Sequence, residues 1–415
     1  LHSRPYYTEI EGSGTASDPW KISSPADWNA VAESINSGAA DAVYLSTACY
    51  ELSADIDFEG QSAVPVSFET GSLVYFGGVF DGKGHTIRNV KTTASGESFG
   101  LFGGNEGTIK DLAVENLALS TAFKTAGGVV GTNRGVIDGV TFRGEIVGSG
   151  KAAVLGGIAG QNQGVIINCG NRGGKIEAVE LDKGAKGENL GGIAGQISKG
   201  SDGKGNYIVN CYSWIERVAS NNNIGGIVGS GSYGAGIENC GNSGAITSKD
   251  STGGIMGSGS VPITACYNTG TITAAGDDIG GIAGYTSQEI KNCYNTGAVT
   301  GTGAKNGVGG IVGRLSSAVS SYSNGKITGC LNTGAVTATS GTAAGAIVGQ
   351  KTTANAAITR SYFKAGTCTQ AIGGNPADGD EAALATEAEC GSKRLIGLLG
   401  GAFALRLGPH KCFAH

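Results

Sequence analysis

The sequence is poor in histidine, in proline and in charge. Its 415 residues include 4 histidines, 7 prolines and 1 methionine, and only 15% of them are charged. Because two of the histidines lie at the ends of the chain, we find no Ser-His-Asp, Cys-His or zinc-binding arrangement. The scarcity of proline and the lack of a Gly-X-Y period exclude collagen.

The charge and hydropathy patterns argue against a nucleic-acid partner and against a membrane-embedded chain. The formal net charge is -5, and lysines and arginines are scattered, so no nucleic-acid partner is expected. No run of 18 apolar residues is present, so the chain is not expected to be membrane-embedded. Residues 1–5 lack the regions of a signal peptide, which indicates a mature or excised chain. Apolar residues make up 40% of the chain, enough to predict folding rather than disorder.

Glycine, by contrast, is abundant, with 76 residues, and it marks an internal repeat. The phrase Gly-Gly-Ile/Val-x-Gly returns at a basic period of about 28 residues. A second phrase, Ile-x-Asn-Cys-Tyr/Gly-Asn-x-Gly, lies about halfway between two such anchors. The anchors begin at Gly127, Gly156, Gly191, Gly225, Gly253, Gly280 and Gly309, with variants at Phe99 and Gly345.

Each repeat holds three short β-branched segments that end in Gly or Asn, which predicts three strands per repeat. A helix is excluded because each internal glycine would cost it about 1 kcal/mol. Strands stacked at about 4.8 Å enclose a continuous core, whereas a propeller blade needs about 40 to 50 residues. The sequence therefore predicts an all-β, right-handed parallel β-helix of about nine coils.

The ends of such a solenoid need covers, since open strand edges template aggregation. Residues 24–35 combine an N-cap serine, a proline and an apolar stripe of Trp28, Val31 and Ile35, which predicts an N-terminal capping helix. Residues 381–394 are helix-prone and are expected to cap the last coil. We divide the chain into an N-terminal cap with the first coils (1–98), the repeats (99–365) and a C-terminal cap (366–415).

Three lengthened repeats place extra residues at two corners of the coil. Residues 198–206 and 315–324 lengthen the turn after an anchor, and residues 180–189 lengthen the turn before one. Such loops are interpreted either as a binding face or as tolerated insertions.

The ten cysteines do not predict a disulfide framework. Six share one repeat position and are expected to stack as an inward column of small hydrophobic side chains, which point the same way and so have poor disulfide geometry. Metal binding by this column is not favoured, because histidine partners are lacking. The column is Cys169, Cys211, Cys240, Cys266, Cys293 and Cys330. The pairing of Cys49, Cys368, Cys390 and Cys412 stays open.

The residue after each cysteine is expected to face outward, since side chains alternate along a strand. This predicts an exposed aromatic column, with Phe142 at the equivalent site of an earlier coil. Such rings could stack on sugars or contact a partner protein, or they could only stack on each other. The candidate ligand-binding residues are Tyr212, Tyr267, Tyr294 and Tyr362.

Carboxylates offer the remaining route to catalysis. A glycoside hydrolase or polysaccharide lyase would draw a carboxylate pair from Asp55, Asp57, Asp81, Asp111 and Glu115. The first three also fit turn positions, which is the interpretation we favour, and enzyme activity is not favoured. Asp277 and Asp278 precede an anchor and are a weak candidate Ca²⁺ site or a turn. No other cofactor is expected.

Taken together, these motifs resemble the GLUG-motif repeat family of bacterial cell-surface proteins, which includes adhesins and the non-catalytic regions of IgA peptidases. The resemblance covers about residues 9–405 and rests on residues 12–22, 52–58 and 78–87, on Gly100-Leu101-Phe102-Gly103 and on the later anchors. It implies a secreted or surface-displayed chain, with other domains of a longer protein as neighbours.

The resemblance and the missing catalytic constellation favour a binding or display module. It would recognise a glycan or a host surface protein along one face of the rod. A carbohydrate-active β-helix enzyme and a structural spacer are the alternatives.

Overall fold

The glycine-anchored repeat folds into the coils of a solenoid. The computed structural model is an all-β parallel β-helix of about ten turns with very little helix, which confirms the predicted fold class and adds about one turn. The structure describes residues 10–39, 41–67, 75–94, 98–121, 124–149, 153–178, 188–200, 206–215, 217–219, 222–249, 251–303, 306–317, 325–339, 342–353, 355–374, 380 and 382–385.

A coil contains five short strands rather than the three predicted. In one coil Ile279–Gly280 and Ala283–Thr286 flank the Gly-Gly anchor, Glu289–Lys291 follows, and Tyr294–Asn295 and Val299–Gly301 complete the turn. The anchor divides what the sequence pattern presents as one apolar segment, because the chain bends there. A Cβ atom on Gly281 would lie 2.1 Å from the carbonyl oxygen of Gly310 in the next coil, so the position requires glycine.

Equivalent strands of successive coils pair in parallel to form four sheets, here called sheets 1 to 4. Within the described residues, sheet 1 contains Trp20–Ile22, Cys49–Leu52, Val79–Asp81, Thr108–Lys110, Val136–Asp138, Val165–Ile167, Asn206–Val209, Ala235–Glu238, Ile263–Thr264, Glu289–Lys291, Lys326–Thr328 and Ala357–Thr359. Sheet 2 contains Ile56–Asp57, Thr86–Arg88, Lys91–Ala94, Ala113–Thr121, Thr141–Gly148, Gly170–Ala178, Tyr212–Ser213, Arg217–Ala219, Gly241–Asn242, Ile246–Ser248, Tyr267–Asn268, Ile272–Ala274, Tyr294–Asn295, Val299–Gly301, Leu331–Asn332, Val336–Ala338, Ser361–Lys364 and Ala382–Ala385.

Sheets 3 and 4 lie on either side of the glycine anchors. In the described part of the chain, sheet 3 contains Ser98–Phe99, Thr125–Gly127, Val154–Gly156, Asn189–Gly191, Asn223–Gly225, Thr252–Gly253, Ile279–Gly280, Gly307–Gly309 and Ala343–Gly345. Sheet 4 contains Phe102–Asn105, Val130–Asn133, Ala159–Asn162, Ala194–Ile197, Val228–Gly231, Met256–Gly259, Ala283–Thr286, Val312–Leu315, Val348–Lys351 and Ile372–Gly374.

The turn between sheets 1 and 2 explains the asparagine that precedes four of the six column cysteines. Asn168, Asn210, Asn239 and Asn292 all have φ between 53° and 56°, a left-handed conformation that asparagine tolerates better than most residues. The following side chain points inward, where it joins a core that runs along the rod.

The six cysteines of the repeat are buried and free, as predicted. Each thiol is held by hydrogen bonds: Cys211 donates its S–H to the carbonyl oxygen of Val209 at 3.3 Å, and its own backbone N–H donates to the sulfur of Cys240 at 3.4 Å. Burial raises the pKa of Cys211, Cys240 and Cys293 well above the usual range. Cys49 and Cys368 are also free and partly exposed, while Cys390 and Cys412 lie outside the described residues.

The N-terminal capping helix is confirmed as Pro25–Asn36. The Ser24 side chain accepts a hydrogen bond from the Asp27 backbone N–H, and Trp28, Val31 and Ile35 are buried. The Trp28 ring packs edge-on against Phe80 at 5.6 Å, so the helix closes the first coils. A second, short helix, Ala42–Ser46, was not predicted.

The helix predicted over residues 381–394 is wrong for its first turn. Ala382–Ala385 is a strand, and it pairs with Ser361–Lys364. The open edge of the last coil offers a row of hydrogen-bonding partners, which outweighs the helix propensity of alanine. Residues 386–394 lie outside the described part of the chain.

The predicted lengthened turns fall mostly on residues that the structure does not describe. Residues 179–187, 201–205 and 318–324 cover most of the three lengthened turns. The division of the chain after residues 98 and 365 stays a prediction.

Candidate functional site

The predicted tyrosines lie in one outward column on sheet 2. In the parallel register, Tyr212, Gly241, Tyr267, Tyr294, Leu331 and Tyr362 follow each other coil by coil. The four tyrosines are half-buried, whereas the residues on either side of Tyr267, Cys266 and Asn268, are fully buried. Leu331 separates Tyr362 from the other three, so only Tyr212, Tyr267 and Tyr294 form a group.

The three rings contact one another. Tyr267 and Tyr294 stack with ring centroids 5.3 Å apart and planes 10° from parallel, and Tyr212 lies 6.3 Å from Tyr267 although a full coil separates them. Gly241 makes this possible, because a Cβ atom there would lie 2.2 Å from Cζ of Tyr267, whose ring leans over it. Burial raises the pKa of the Tyr294 phenol. The stacked faces cover each other, so these rings present mainly their edges.

Trp214, which the repeat pattern missed, extends this group. Its ring is 43% exposed and lies 6.1 Å from that of Tyr212. The coil departs from the consensus at this point, since Ser213 and Trp214 replace the usual Asn-Thr pair. The signal that could have found it is the density of aromatic residues between Tyr207 and Trp214.

A column of hydroxyl groups continues from Trp214 along the rod. The backbone N–H groups of Trp214, Ser243 and Thr269 each donate to the preceding coil at the equivalent position. Thr269 donates its hydroxyl to Ser243 at 2.9 Å, and both side chains are exposed. We call this surface the aromatic face: Tyr212, Trp214, Tyr267 and Tyr294, with the hydroxyls of Ser243, Thr269 and Thr296.

The prediction that Phe142 belongs to the outward column is wrong. Phe142 is buried and pairs in register with Asn171, while Thr141 pairs with Gly170 at the tyrosine position. The error arose because this coil has Val140 in place of the cysteine, so the outward residue is Thr141. Phe142 fills the space beneath the anchor glycine Gly128.

In most later coils an asparagine fills the space beneath the anchor glycine. The sequence pattern indicates only a corner position for this residue. Asn268 donates to Oδ1 of Asn295 and to the carbonyl of Gly270, both at 2.8 Å. Asn295 continues the ladder to Asn332 at 2.9 Å. The ladder satisfies polar groups inside the rod and holds the aromatic face from below.

Asp55 and Asp57, two of the carboxylates proposed for catalysis, contact side chains of the next coil. Oδ1 of Asp55 lies 3.2 Å from Nδ1 of His85, and Oδ2 of Asp57 lies 3.0 Å from Nε of Arg88. A hydrogen bond from the Thr86 backbone lowers the pKa of Asp55. Hydrogen bonds from Asn89, from the Glu59 backbone and from Arg88 lower the pKa of Asp57 to about 2.

Asp81 and Asp111 lie beside a lysine side chain. Burial raises the pKa of Asp81, but bonds from Lys110 at 3.0 Å and from Lys83 outweigh it, and the net shift is downward. Lys110 also lies 3.9 Å from Asp111, and Glu115 is exposed. A glycosidase needs one carboxyl of raised pKa as its general acid, and the pKa shifts of Asp55, Asp57 and Asp81 are in the opposite direction.

The weak calcium candidates are occupied by protein groups. Arg314 binds both oxygens of Asp278, at 2.7 and 2.8 Å, and its guanidinium lies 4.6 Å from the centroid of Tyr285. Burial raises the pKa of Asp278, and Arg314 opposes that rise. Asp277 accepts a hydrogen bond from the Asn306 backbone at 3.2 Å. Among the described residues, no group of three or more His, Cys, Asp or Glu side chains could hold a metal ion.

Helices that could cross a bilayer were also sought. In the part of the chain that the structure describes, no helix combines the length and the apolar character that a membrane span needs.

Comparison with known proteins found two similar proteins and one matching family model. A stretch of 150 residues, 35% of the chain, is 33% identical to Halomucin of Haloquadratum walsbyi and spans 2% of that protein. A solved structure from Bacteroides ovatus, described as a candidate immunoglobulin A1 protease, is 26% identical with a TM-score of 0.43, over 69% of this chain and 77% of that chain. Residues 276–300, which form most of one coil, match the GLUG motif, and the resemblance predicted from the sequence is confirmed there.

Proposed function

We propose that this chain is a surface-associated, extracellular binding module, and that the aromatic face is its ligand-binding surface. The GLUG motif and the similarity to Halomucin support a place outside the cell. The exposed ring of Trp214 beside Tyr212 is the observation that carries the binding proposal. The ligand class that this face fits best is a glycan.

The chemistry of the face combines the two contacts that sugars need. An exposed indole offers flat apolar area to the C–H face of a sugar ring, and neighbouring hydroxyls fix the orientation by hydrogen bonds. Trp214 supplies the indole, and Ser243, Thr269 and Thr296 supply hydroxyls at intervals of about 4.8 Å along the rod. A linear glycan that lies along the rod axis would meet both.

The stacked pair Tyr267 and Tyr294 supports the face rather than binding by its ring planes. We therefore assign the stacking contact to Trp214 and to the outer side of Tyr212, and only edge contacts to the other two rings. Tyr362 lies beyond Leu331 and is left out of the binding surface.

Screening on a glycan array, followed by calorimetric titration of the strongest ligand, tests this proposal. Trp214→Ala should weaken binding at least tenfold, and Tyr233→Ala, an equally exposed aromatic site off this face, should not. If Trp214→Ala binds the glycan as tightly as the wild-type chain does, the aromatic face is not the binding surface.

The same preparations distinguish the alternatives. If the chain binds host surface proteins but no glycan, the assignment of a glycan ligand is wrong and a protein ligand is supported. Saccharide release that a single carboxylate substitution abolishes would indicate an enzyme. No binding of either class would support a spacer and overturn the proposed function.

A further inference from the structure

The outer face of sheet 1 carries two columns of side chains whose order is close to self-complementary. The first column, read coil by coil, is Val79, Thr108, Val136, Val165, Tyr207, Gly236 and Pro262. The second is Glu51, Asp81, Lys110, Asp138, Ile167, Val209, Glu238, Thr264 and Lys291. Val165 and Ile167 stand in the same coil, at the middle of both columns.

The centre of this face is apolar and open. Tyr207 is 48% exposed and Val136 is 36% exposed, and Val165, Ile167 and Val209 are half-buried around them. The Tyr207 ring lies close to Gly236, where a Cβ atom would be 2.9 Å from its Cδ1. Contiguous apolar patches with a charged rim are typical of protein interfaces.

The order of the charges along sheet 1 fits a second copy of the same chain. A two-fold axis that runs along the strand Val165–Ile167, in the plane of the interface, places a second copy antiparallel and face to face. The axis then sets Val165 and Ile167 against their own copies and Val136 against Tyr207. It sets Thr108 against Gly236 and Val79 against Pro262.

The same operation brings opposite charges together. Lys110 faces Glu238, and Glu51 faces Lys291, and each contact occurs twice because the interface is symmetric. Asp138 faces Val209, but its Oδ1 already accepts a hydrogen bond from Asn168 at 2.8 Å. Electrostatic complementarity of this kind sets the register of a complex.

We propose that the outer face of sheet 1 binds a second copy of this chain, in an antiparallel dimer centred on Val165 and Ile167. Nine coils at about 4.8 Å and a strand width of about 10 Å give on the order of 800 Å² of total buried surface, which is below the range of stable complexes and typical of weak, transient ones. The dimer is therefore weak in dilute solution and is favoured where many copies are held close together. This surface is separate from the aromatic face, so it does not depend on the proposed function.

Sedimentation velocity of the whole chain over a concentration series tests the proposal. The wild-type chain should show a reversible monomer–dimer equilibrium. Val165→Lys, which sets two ammonium groups against each other at the axis, should weaken the dimer at least tenfold. Thr273→Lys, an outward substitution on sheet 2, is the matched control and should leave the dimer unchanged.

Exchanging the charges of Lys110 and Glu238 tests both the identity of the partner and the alignment of the two copies. Lys110→Glu alone and Glu238→Lys alone each create two like-charge contacts and should abolish dimerisation at low salt. An equimolar mixture of the two variants should form a heterodimer, because both contacts are then attractive. A local folding defect in either variant could not produce this rescue.

A chain that stays monomeric at every concentration overturns the proposal. So does a dimer that Val165→Lys does not weaken, or a mixture of the charge variants that does not associate.

Discussion

The backbone N–H of Cys330 donates to Oγ of Ser361 at 3.3 Å, at the position where earlier coils use a cysteine sulfur. Cys240, one of those earlier residues, accepts the same bond from Cys211 at 3.4 Å. The column therefore provides a small side chain that accepts one hydrogen bond and donates another, and serine replaces cysteine in the last repeat without changing that pattern.

We expect Cys240→Ala to be more destabilising than Cys240→Ser. Alanine leaves the backbone N–H of Cys211 buried without an acceptor, which costs about 1–3 kcal/mol, whereas serine keeps the acceptor. Thermal unfolding of the two variants measures the difference. A serine variant that is no more stable than the alanine variant would show that only the volume of the thiol matters.

The anchor glycine Gly281 should not tolerate a side chain. Gly281→Ala places a Cβ atom 2.1 Å from the Gly310 carbonyl oxygen, between backbones that cannot separate without breaking the ladder. Gly77→Ala is the matched control, since its nearest neighbour, Cγ2 of Thr47, would lie at 3.5 Å. We expect a large drop in melting temperature for the first variant and little change for the second. Equal melting temperatures would contradict the close approach of the coils.

The first coils should lose stability in acid. The folded-state pKa of Asp57 is about 2, below its ordinary value of 3.8, so its contribution is present above pH 3.8 and is lost as the pH falls towards 2. Asp57→Asn should therefore flatten the dependence of melting temperature on pH in this window. A pH profile identical to that of the wild-type chain would show that the Arg88 and Asn89 contacts do not stabilise the fold.

The buried pair Lys351 and Asp380 should be critical for the last coils. The Lys351 side chain is 0% exposed, and its Nζ lies 2.7 and 2.9 Å from the two oxygens of Asp380. Asp380→Asn removes the negative charge of this buried pair and should cost about 3–5 kcal/mol, and Lys351→Met in the same background should recover much of it. Chemical denaturation of the single and double variants measures both steps. A double variant as unstable as Asp380→Asn would contradict this explanation.

The repeat was predictable from sequence because its constraints are periodic. Glycine at most anchors, a left-handed asparagine at four turns and cysteine at six inward sites recur at nearly constant spacing, and each reflects one local steric requirement. Features that break the period were not predictable in the same way. Trp214 and Phe142 lie in coils that lack part of the motif, and assigning their direction requires the register between coils.

The strand Ala382–Ala385 and the ion pairs of the acidic candidates illustrate the same limit. Alanine-rich sequence favours a helix in isolation, and only the exposed edge of the neighbouring coil favours a strand. Asp55 and Asp57 resemble a catalytic pair in sequence, but their partners His85 and Arg88 come from the next coil, about 30 residues away.

Tryptophan fluorescence tests the aromatic face most directly, because Trp20 and Trp28 are buried and Trp214 is exposed. During titration with the strongest glycan from the array, we predict a blue shift of the emission and protection from iodide quenching, both lost in Trp214→Phe. Saturating glycan binding with no change in emission or quenching would show that the ligand does not contact Trp214, and would contradict the proposed binding surface.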